Sequence, residues 1–235
     1  MDELGTILGI WAHPDDETWL SAGLMARAVA AGSRVVCVTA TRGELGTQDA
    51  ERWPPDKLAA IRTAELAESF AVLGVTEHHW LDYPDGGCAA VDEDEAVGRL
   101  MHLIGEVQPD TVLTMGPDGM TGHPDHIAVS SWTTRAFLTE APPGARLHYS
   151  TTLPELWEQM QEEFFRLGIS MGGQPSVTEA ADCSIRYVLD DEMLAVKDRA
   201  IRAQASQVEG LFEQLDPATL ARLLRHETYR PAQWD

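Results

Sequence analysis

Short apolar runs alternate along this chain with longer segments of helical periodicity, and this alternation limits the fold more than any other feature. The run Val35-Val36-Cys37-Val38 is apolar at every position, as is typical of a central parallel strand that is covered on both faces. Between residues 57 and 73 the apolar residues recur at helical spacing instead, and Gly74 ends the pattern. The alternation predicts an α/β fold: a doubly wound parallel sheet with helices on both faces.

The same patterns predict where the elements lie. Strands are predicted at 6–11, 34–40, 78–82, 110–115, 146–150 and 184–189. Helices are predicted at 19–31, 57–73, 92–107, 124–138, 153–166 and 191–213, with a short one near 217–225. The long loops 41–56 and 83–90 follow strand ends, where ligands bind in such sheets, so we expect them to form the rim of a pocket.

Length, charge and cysteine content narrow the class of protein. The 235 residues can bury one good core and no Ser/Pro/Gly-rich linker divides them, so we expect a single domain over 1–235. A formal charge of −21 argues against binding to nucleic acid or to an anionic membrane surface. No signal peptide or membrane span is predicted, and three scattered cysteines form no disulfide framework. We therefore expect a cytoplasmic protein; whether it forms a homo-oligomer is left open.

Two short motifs carry the side chains that point to function. The runs His13-Pro14-Asp15-Asp16 and His123-Pro124-Asp125-His126 each follow a predicted strand and begin a predicted helix. Proline suits the first helical turn, and aspartate suits the positive end of the helix dipole. One such run alone is readily explained as a helix cap. Two at equivalent positions predict that ligand-type side chains meet at one edge of the sheet.

These side chains fit a catalytic metal site. Zinc favours histidine nitrogens and carboxylate oxygens, and three protein ligands leave a position for water. His13 and Asp16 lie three residues apart and can share one side of a turn, and His126 can supply the third ligand. Two histidines and one carboxylate also suit Fe2+ or another divalent ion.

Two ligand-type residues are then left beside the metal. Asp15 can act as a general base, and His123 can stabilise an oxyanion or protonate a leaving amine. These parts fit metal-assisted hydrolysis of an amide or ester. Acyl-enzyme chemistry is disfavoured because the sequence has no Gly-x-Ser-x-Gly motif. A dinucleotide-binding oxidoreductase is disfavoured because no Gly-x-Gly-x-x-Gly follows the first strand.

At these motifs the chain resembles the LmbE-like, PIG-L family of N-acetylglucosaminyl de-N-acetylases. The specific matches are Ala12-His13-Pro14-Asp15-Asp16-Glu17 and His123-Pro124-Asp125-His126. Softer matches are Thr39–Glu44, Arg62–Leu66 leading to Leu73-Gly74, Asp85-Gly86, and near the C-terminus Lys197 with Ala203–Gln207. The likeness covers most of the first 140 residues, and its C-terminal part is the weakest.

The resemblance implies a Rossmann-like, mostly parallel fold and a divalent metal, usually zinc. By position it implies the metal ligands His13, Asp16 and His126, the general base Asp15 with the electrostatic or acid partner His123, and the sugar-contacting residues Glu44, Arg62 and Asp85. The chain departs from the family where the closing motif commonly has His and this sequence has Gln204. It also has Thr121 where some sugar deacetylases place a tyrosine that assists the oxyanion.

The function that we predict is metal-dependent removal of the N-acetyl, or another acyl, group from a small N-acetylglucosamine conjugate. The nearest alternative is an amidase of the same architecture that acts on a thiol conjugate or another non-sugar amide. A metal-dependent sugar-binding protein without turnover is a third hypothesis, and Asp15 argues against it because binding needs no base beside the metal.

Overall fold

The computed structural model describes residues 4–47 and 49–233. The two ends of the predicted domain 1–235, and residue 48 of the predicted loop 41–56, lie outside the described residues. The strands are β1 Ile7–Trp11, β2 Val35–Thr41, β3 Glu77–Tyr83, β4 Thr111–Thr114, β5 Arg146–Ser150, β6 Ile185–Val188 and β7 His226–Pro231. Each of the six predicted strands is present with both ends within one residue of the prediction.

The strands form one seven-stranded sheet in the order β3-β2-β1-β4-β5-β7-β6. The first five strands in this order pair in parallel, and β7 is antiparallel to both of its neighbours. The order turns at β1, from which the chain first builds outward through β2 and β3 and then through β4 and β5. The prediction of a doubly wound, mostly parallel sheet is therefore confirmed.

Helices connect the strands and cover both faces. They are α1 Asp16–Ala30, α2 Pro55–Leu73, α3 Glu93–Val107, the single turn α4 Gly119–Gly122, α5 Pro124–Glu140, α6 Pro154–Arg166, α7 Asp191–Arg202, α8 Ala205–Phe212 and α9 Pro217–Leu224. Proline occupies the first turn of α2, α5, α6 and α9, where its missing N–H costs nothing. Gly74 ends α2 in the left-handed region at φ 76°, as the sequence pattern indicates. No helix in the described part of the chain is long and apolar enough to span a membrane.

Alternate residues of the central strand serve two separate cores. Leu8 and Ile10 of β1 pack in the cluster that contains the buried residues of α3 and α5. Ile7 and Trp11 pack in the other cluster, with α1, α2 and the buried side of α7. This is the arrangement expected of a strand that is apolar on both faces.

Two predictions about the C-terminal part are wrong. The single helix 191–213 is interrupted at Gln204, which is buried and has the non-helical angles φ −97° and ψ 51°. Strand β7 was not predicted, because its sequence His-Glu-Thr-Tyr-Arg-Pro has neither an apolar run nor an apolar alternation. Its fully buried Glu227 is compatible with a strand only because Lys197 of α7 lies 2.8 Å away.

Candidate active site

The turn between β1 and α1 holds Asp15 in an uncommon backbone conformation. Its φ of 102° lies in the left-handed region, which side-chain-bearing residues rarely adopt and which indicates strain at a functional position. Several contacts hold it there. Arg62 donates from Nη2 to the Pro14 carbonyl and, at 3.2 Å, to Asp15 Oδ2, while Asp15 N donates to Glu17 Oε2 at 3.2 Å. The carboxylate is therefore fixed by α2, a different element from its own.

The turn between β4 and α5 brings the second motif to the same edge of the sheet. Gly119 has φ 65° and lies against α5, so a Cβ there would come within 3.0 Å of His126 Cβ. Only glycine permits this close approach. His123 is the N-cap of α5, and its Nδ1 accepts a hydrogen bond from Asp125 N at 3.1 Å.

The two turns bring together the predicted metal ligands His13, Asp16 and His126, all of them buried. His13 Nδ1 lies 3.0 Å from His126 Nε2, although the residues are 113 positions apart. The carboxylate of Asp16 reaches both rings, with Oδ1 3.5 Å from His126 Nε2 and Oδ2 3.7 Å from His13 Nδ1. Two nitrogens and a carboxylate therefore converge on one point.

The outer nitrogens of the two rings show that this cluster fits a cation. His13 Nε2 lies 3.1 Å from Asp85 Oδ1 and 3.3 Å from Asp125 Oδ2, and His126 Nδ1 lies 2.9 Å from the Gly119 carbonyl. Each outer nitrogen faces an acceptor and so carries the proton in the neutral ring, which leaves a lone pair on each inner nitrogen. Two lone pairs that face each other beside a carboxylate suit a divalent ion, and carboxylate support behind the ring is usual for metal-binding histidines.

His123 belongs to the cluster in a different way. Its ring centroid lies 4.7 Å from that of His13 and 5.0 Å from that of His126, and the three rings together could hold an ion. Its Nδ1 is, however, already an acceptor for Asp125 N. In the neutral ring the proton must then be on Nε2, which makes His123 a hydrogen-bond donor beside the ligands.

Burial and neighbouring charges shift the pKa values of the site. Burial raises the pKa of Asp15 to about 6, against the opposing charge of Arg62. Burial lowers the pKa of His126 to about 4. Burial also lowers the pKa of His13, but hydrogen bonds to Asp125 and Asp85 outweigh this and raise it to about 10. The carboxylates around the two histidines make the site strongly attractive to a cation.

The predicted sugar-contacting residues are only partly accessible. Arg62 and Asp85 line the cavity that contains His13 and Asp15, whereas Glu44 does not. Instead, Glu44 Oε1 accepts a hydrogen bond from Asp85 N at 3.0 Å. Asp85 Oδ2 in turn accepts from Leu45 N at 2.8 Å. These two bonds join the loops that follow β2 and β3 and fix Asp85 against His13.

Sequence reasoning missed two supporting residues that lie inside the motifs themselves. Asp125 is fully buried, and besides facing His13 it accepts hydrogen bonds from Gly86 N at 2.7 Å and Cys88 N at 3.0 Å. Glu17 is fully buried too, and its Oε1 accepts from Gln204 Nε2 at 2.9 Å. Their place in the two motifs was the available signal, but the partners of Glu17 and Asp125 come from distant parts of the chain.

The fold and this donor cluster define an α/β protein with a candidate metal site at the carboxyl edge of its sheet. The chain belongs to the PIG-L family, whose model, described as GlcNAc-PI de-N-acetylase, matches residues 8–137. This confirms the resemblance seen in the sequence.

Two relatives are named 1D-myo-inositol 2-acetamido-2-deoxy-alpha-D-glucopyranoside deacetylase. The one from Kineococcus radiotolerans is 34% identical over 88% of this chain and 70% of its own length. The one from Mycolicibacterium smegmatis is 39% identical over 86% of this chain and 80% of its own length. Among solved structures, the N,N'-diacetylchitobiose deacetylase of Pyrococcus horikoshii has a TM-score of 0.68 at 23% identity, and the match covers 97% of this chain and 83% of that one. At that identity the structural match shows a shared fold.

Proposed function

We propose that this protein is a metal-dependent N-deacetylase that hydrolyses the N-acetyl amide of a small molecule containing N-acetylglucosamine. One observation carries the proposal: the donor atoms of His13, Asp16 and His126 converge beside the fixed carboxylate of Asp15. Family membership and the names of the two relatives support the choice of an amino-sugar amide.

His13, Asp16 and His126 are the residues that would hold the ion, with zinc as the preferred metal. When bound, a divalent ion polarises an amide carbonyl and lowers the pKa of water. Asp85 and Asp125 keep the His13 ring oriented through its Nε2, and the Gly119 carbonyl does the same for His126 through its Nδ1.

Asp15 is the proposed general base. It accepts a proton from the water that attacks the amide carbon, and the proton is then available to the nitrogen that leaves when the C–N bond breaks. Its burial raises its pKa to about 6, so the carboxylate is ionised near neutral pH and still accepts a proton readily. Arg62 keeps the carboxylate in place through its bond to Oδ2.

His123 is the proposed oxyanion partner. Its Nε2–H can donate a hydrogen bond to the amide oxygen, on which negative charge grows as water adds to the carbon. Burial lowers the pKa of His123, which favours the neutral, singly protonated ring that the Asp125 N–H bond also selects. Products of the reaction are acetate and the free amine.

Arg62 and Asp85 are the residues that we propose to contact the sugar, because both line the cavity. Arg62 offers guanidinium N–H groups, and Asp85 offers carboxylate oxygens that accept from hydroxyls. We propose Glu44 as the support that positions Asp85 through the hydrogen bond to its backbone N–H.

A substrate panel tests the proposal. The protein is stripped with a chelator, reloaded with Zn2+ or with Fe2+ under anaerobic conditions, and incubated with methyl N-acetylglucosaminide, inositol-linked N-acetylglucosamine and N-acetylcysteine conjugates. Free amine is the readout. We expect amine from the sugar amides only in the metal-loaded samples. Release from the thiol conjugates alone would favour the amidase alternative, and sugar binding without amine release would favour the binding protein.

A further inference from the structure

The cavity that contains the reactive cluster extends well beyond it. Its volume is about 510 Å³, and His13, Asp15 and His123 form only part of its lining. Another part of the lining is apolar. We use the name apolar wall for the five side chains Leu156, Met160, Phe164, Leu211 and Leu223, all of which line the cavity.

Three helices build the apolar wall. Leu156, Met160 and Phe164 lie four residues apart on α6, so they share one face of that helix. Leu211 comes from α8 and Leu223 from α9. Met160 and Leu223 remain only half-buried in the described chain, although both lie in a cavity rather than on a convex surface. A concave apolar surface that opens onto reactive groups is typical of a ligand-binding site.

The polar groups of the same helices are poorly placed to replace the apolar wall as a binding surface. Gln159 and Arg222 line the cavity but are exposed, as expected of side chains at its mouth. Glu163 is engaged by Arg166, whose Nε donates to it at 2.6 Å. An inositol ring bears a hydroxyl on every carbon, and hydroxyls buried against apolar side chains lose their hydrogen bonds to water without replacement.

We propose that the apolar wall binds an apolar group carried by the amino-sugar substrate, so that this chain prefers lipid-like or aromatic conjugates to polyhydroxylated ones. The inference rests on the proposed deacetylase function and names the substrate class of that same site. The apolar group has two chemical sources, a long N-acyl chain in place of acetyl or an apolar aglycone. Both would leave the amide at the reactive cluster while the hydrocarbon lies along α6.

Matched glucosamine derivatives separate the two sources. The aglycone arm compares the octyl, methyl and inositol glycosides of N-acetylglucosamine, below the micelle concentration of the octyl compound. The acyl arm compares N-octanoyl with N-acetyl in the methyl glycoside. We expect the octyl compound of one arm to exceed its methyl or acetyl counterpart by about tenfold or more in kcat/KM, because several methylenes leave water. The arm in which this happens identifies the source.

Variants connect the preference to the wall. Met160→Gln and Leu223→Gln should each reduce the octyl preference several-fold and leave turnover of the methyl glycoside within about twofold. Leu138→Gln is the matched control, because Leu138 is an apolar residue that is 57% exposed and does not line the cavity. Urea unfolding checks that each variant is folded, and the comparison among substrates on the unchanged protein stands even if one variant is not.

A binding measurement keeps this inference separate from the proposed function. Calorimetry of metal-loaded protein with octyl and methyl glucoside, neither of which has an amide, reports on the wall without turnover. Tighter binding of octyl glucoside that Met160→Gln weakens would support the inference even if no amide is hydrolysed. Amine release with no octyl preference in either arm, or the highest kcat/KM with the inositol glycoside, would overturn it and leave the deacetylase function intact.

Discussion

Asp15 shows how much of this site depends on one residue and its immediate support. A left-handed backbone at a non-glycine residue costs on the order of 1–3 kcal/mol. The contacts described above offset that cost: Arg62 from α2 holds the carboxylate, and Glu17 accepts the Asp15 N–H. Gln204 donates to the other oxygen of Glu17 and thereby connects the start of α8 to the catalytic turn. Burial raises the pKa of Glu17 to about 8.

Replacing Asp15 should change the rate and not the metal content. We expect Asp15→Asn to bind about one equivalent of metal and to turn over roughly 10²–10⁴-fold more slowly, because the amide cannot accept the proton from water. The variant should also lose the acidic limb of its pH–rate profile. Elemental analysis and steady-state kinetics measure both, with the exposed Asp56→Asn as control. Full activity in Asp15→Asn would assign the base elsewhere.

Thr121 and His123 should differ strongly in their effect on the rate. Thr121 lines the cavity, and its Oγ1 accepts a bond from His123 N at 3.3 Å, so it acts mainly within its own turn. We therefore expect Thr121→Ala to lower kcat only a few-fold, and His123→Ala to lower it by about 10² or more through loss of the oxyanion donor. The comparison uses kcat at saturating substrate. A large loss in Thr121→Ala would make its hydroxyl a catalytic donor.

The reacting residues could be predicted from the sequence because each motif places them within four consecutive positions. The spacing of His13 and Asp16 and the duplication of the His-Pro-Asp run sufficed. What supports these residues could not be predicted in the same way. The second carboxylate behind His13 belongs to Asp125, 112 residues away, and only the parallel pairing of β1 with β4 makes them neighbours.

At the scale of elements, a buried ion pair joins α7, β7 and α1. Lys197 Nζ donates to Glu227 Oε1 at 2.8 Å and to the Trp19 carbonyl at 2.7 Å, and both charged side chains are fully buried. Glu227 also accepts from the backbone N–H groups of Gly23 and Leu24. The helix that carries Asp16 is therefore held in place by the C-terminal part of the chain.

Removing one partner of this pair should destabilise the protein more than any surface change. We expect Lys197→Met to lower the free energy of unfolding by about 3–5 kcal/mol, because Glu227 is left as an uncompensated buried charge. Adding Glu227→Gln should recover part of the loss. Urea unfolding measures all of these, with the exposed Lys57→Met as the control. A loss within about 0.5 kcal/mol for Lys197→Met, as for a surface substitution, would contradict this view.

The ion pair also explains which elements could be predicted. Six strands carry apolar runs or alternations that show their burial locally, and all six were found. Strand β7 gives no such signal, because Glu227 is tolerated in its buried middle only through Lys197, 30 residues earlier. The break between α7 and α8 is equally hidden, since the bond from Gln204 to Glu17 crosses 187 positions.

At the scale of the whole molecule, the proposed metal ligands join the β1 turn to the β4 turn, so the ion should stabilise the fold as well as the reaction. We expect chelation to lower Tm by roughly 5–10 °C if the ion is normally present at about a hundred times its dissociation constant. Thermal unfolding before and after zinc is restored measures this.

Variants locate the effect. His13→Ala, Asp16→Ala and His126→Ala should lose most of the metal and show little further change in Tm on chelation. His102→Ala, whose side chain is exposed on α3, should behave like the parent protein. A full metal content in His126→Ala would remove that residue from the proposed ligand set.

The position of β7 also has a consequence for how the molecule is assembled during synthesis. Residues 226–231 separate β5 from β6, so the sheet remains in two parts until nearly the whole described chain has left the ribosome. Until then β5 has an open edge, and open edges favour wrong pairing with other chains. Because contacts between distant positions form slowly, completion of the sheet should be a late step in folding. The nascent protein therefore has its greatest need of chaperones just before this last strand emerges.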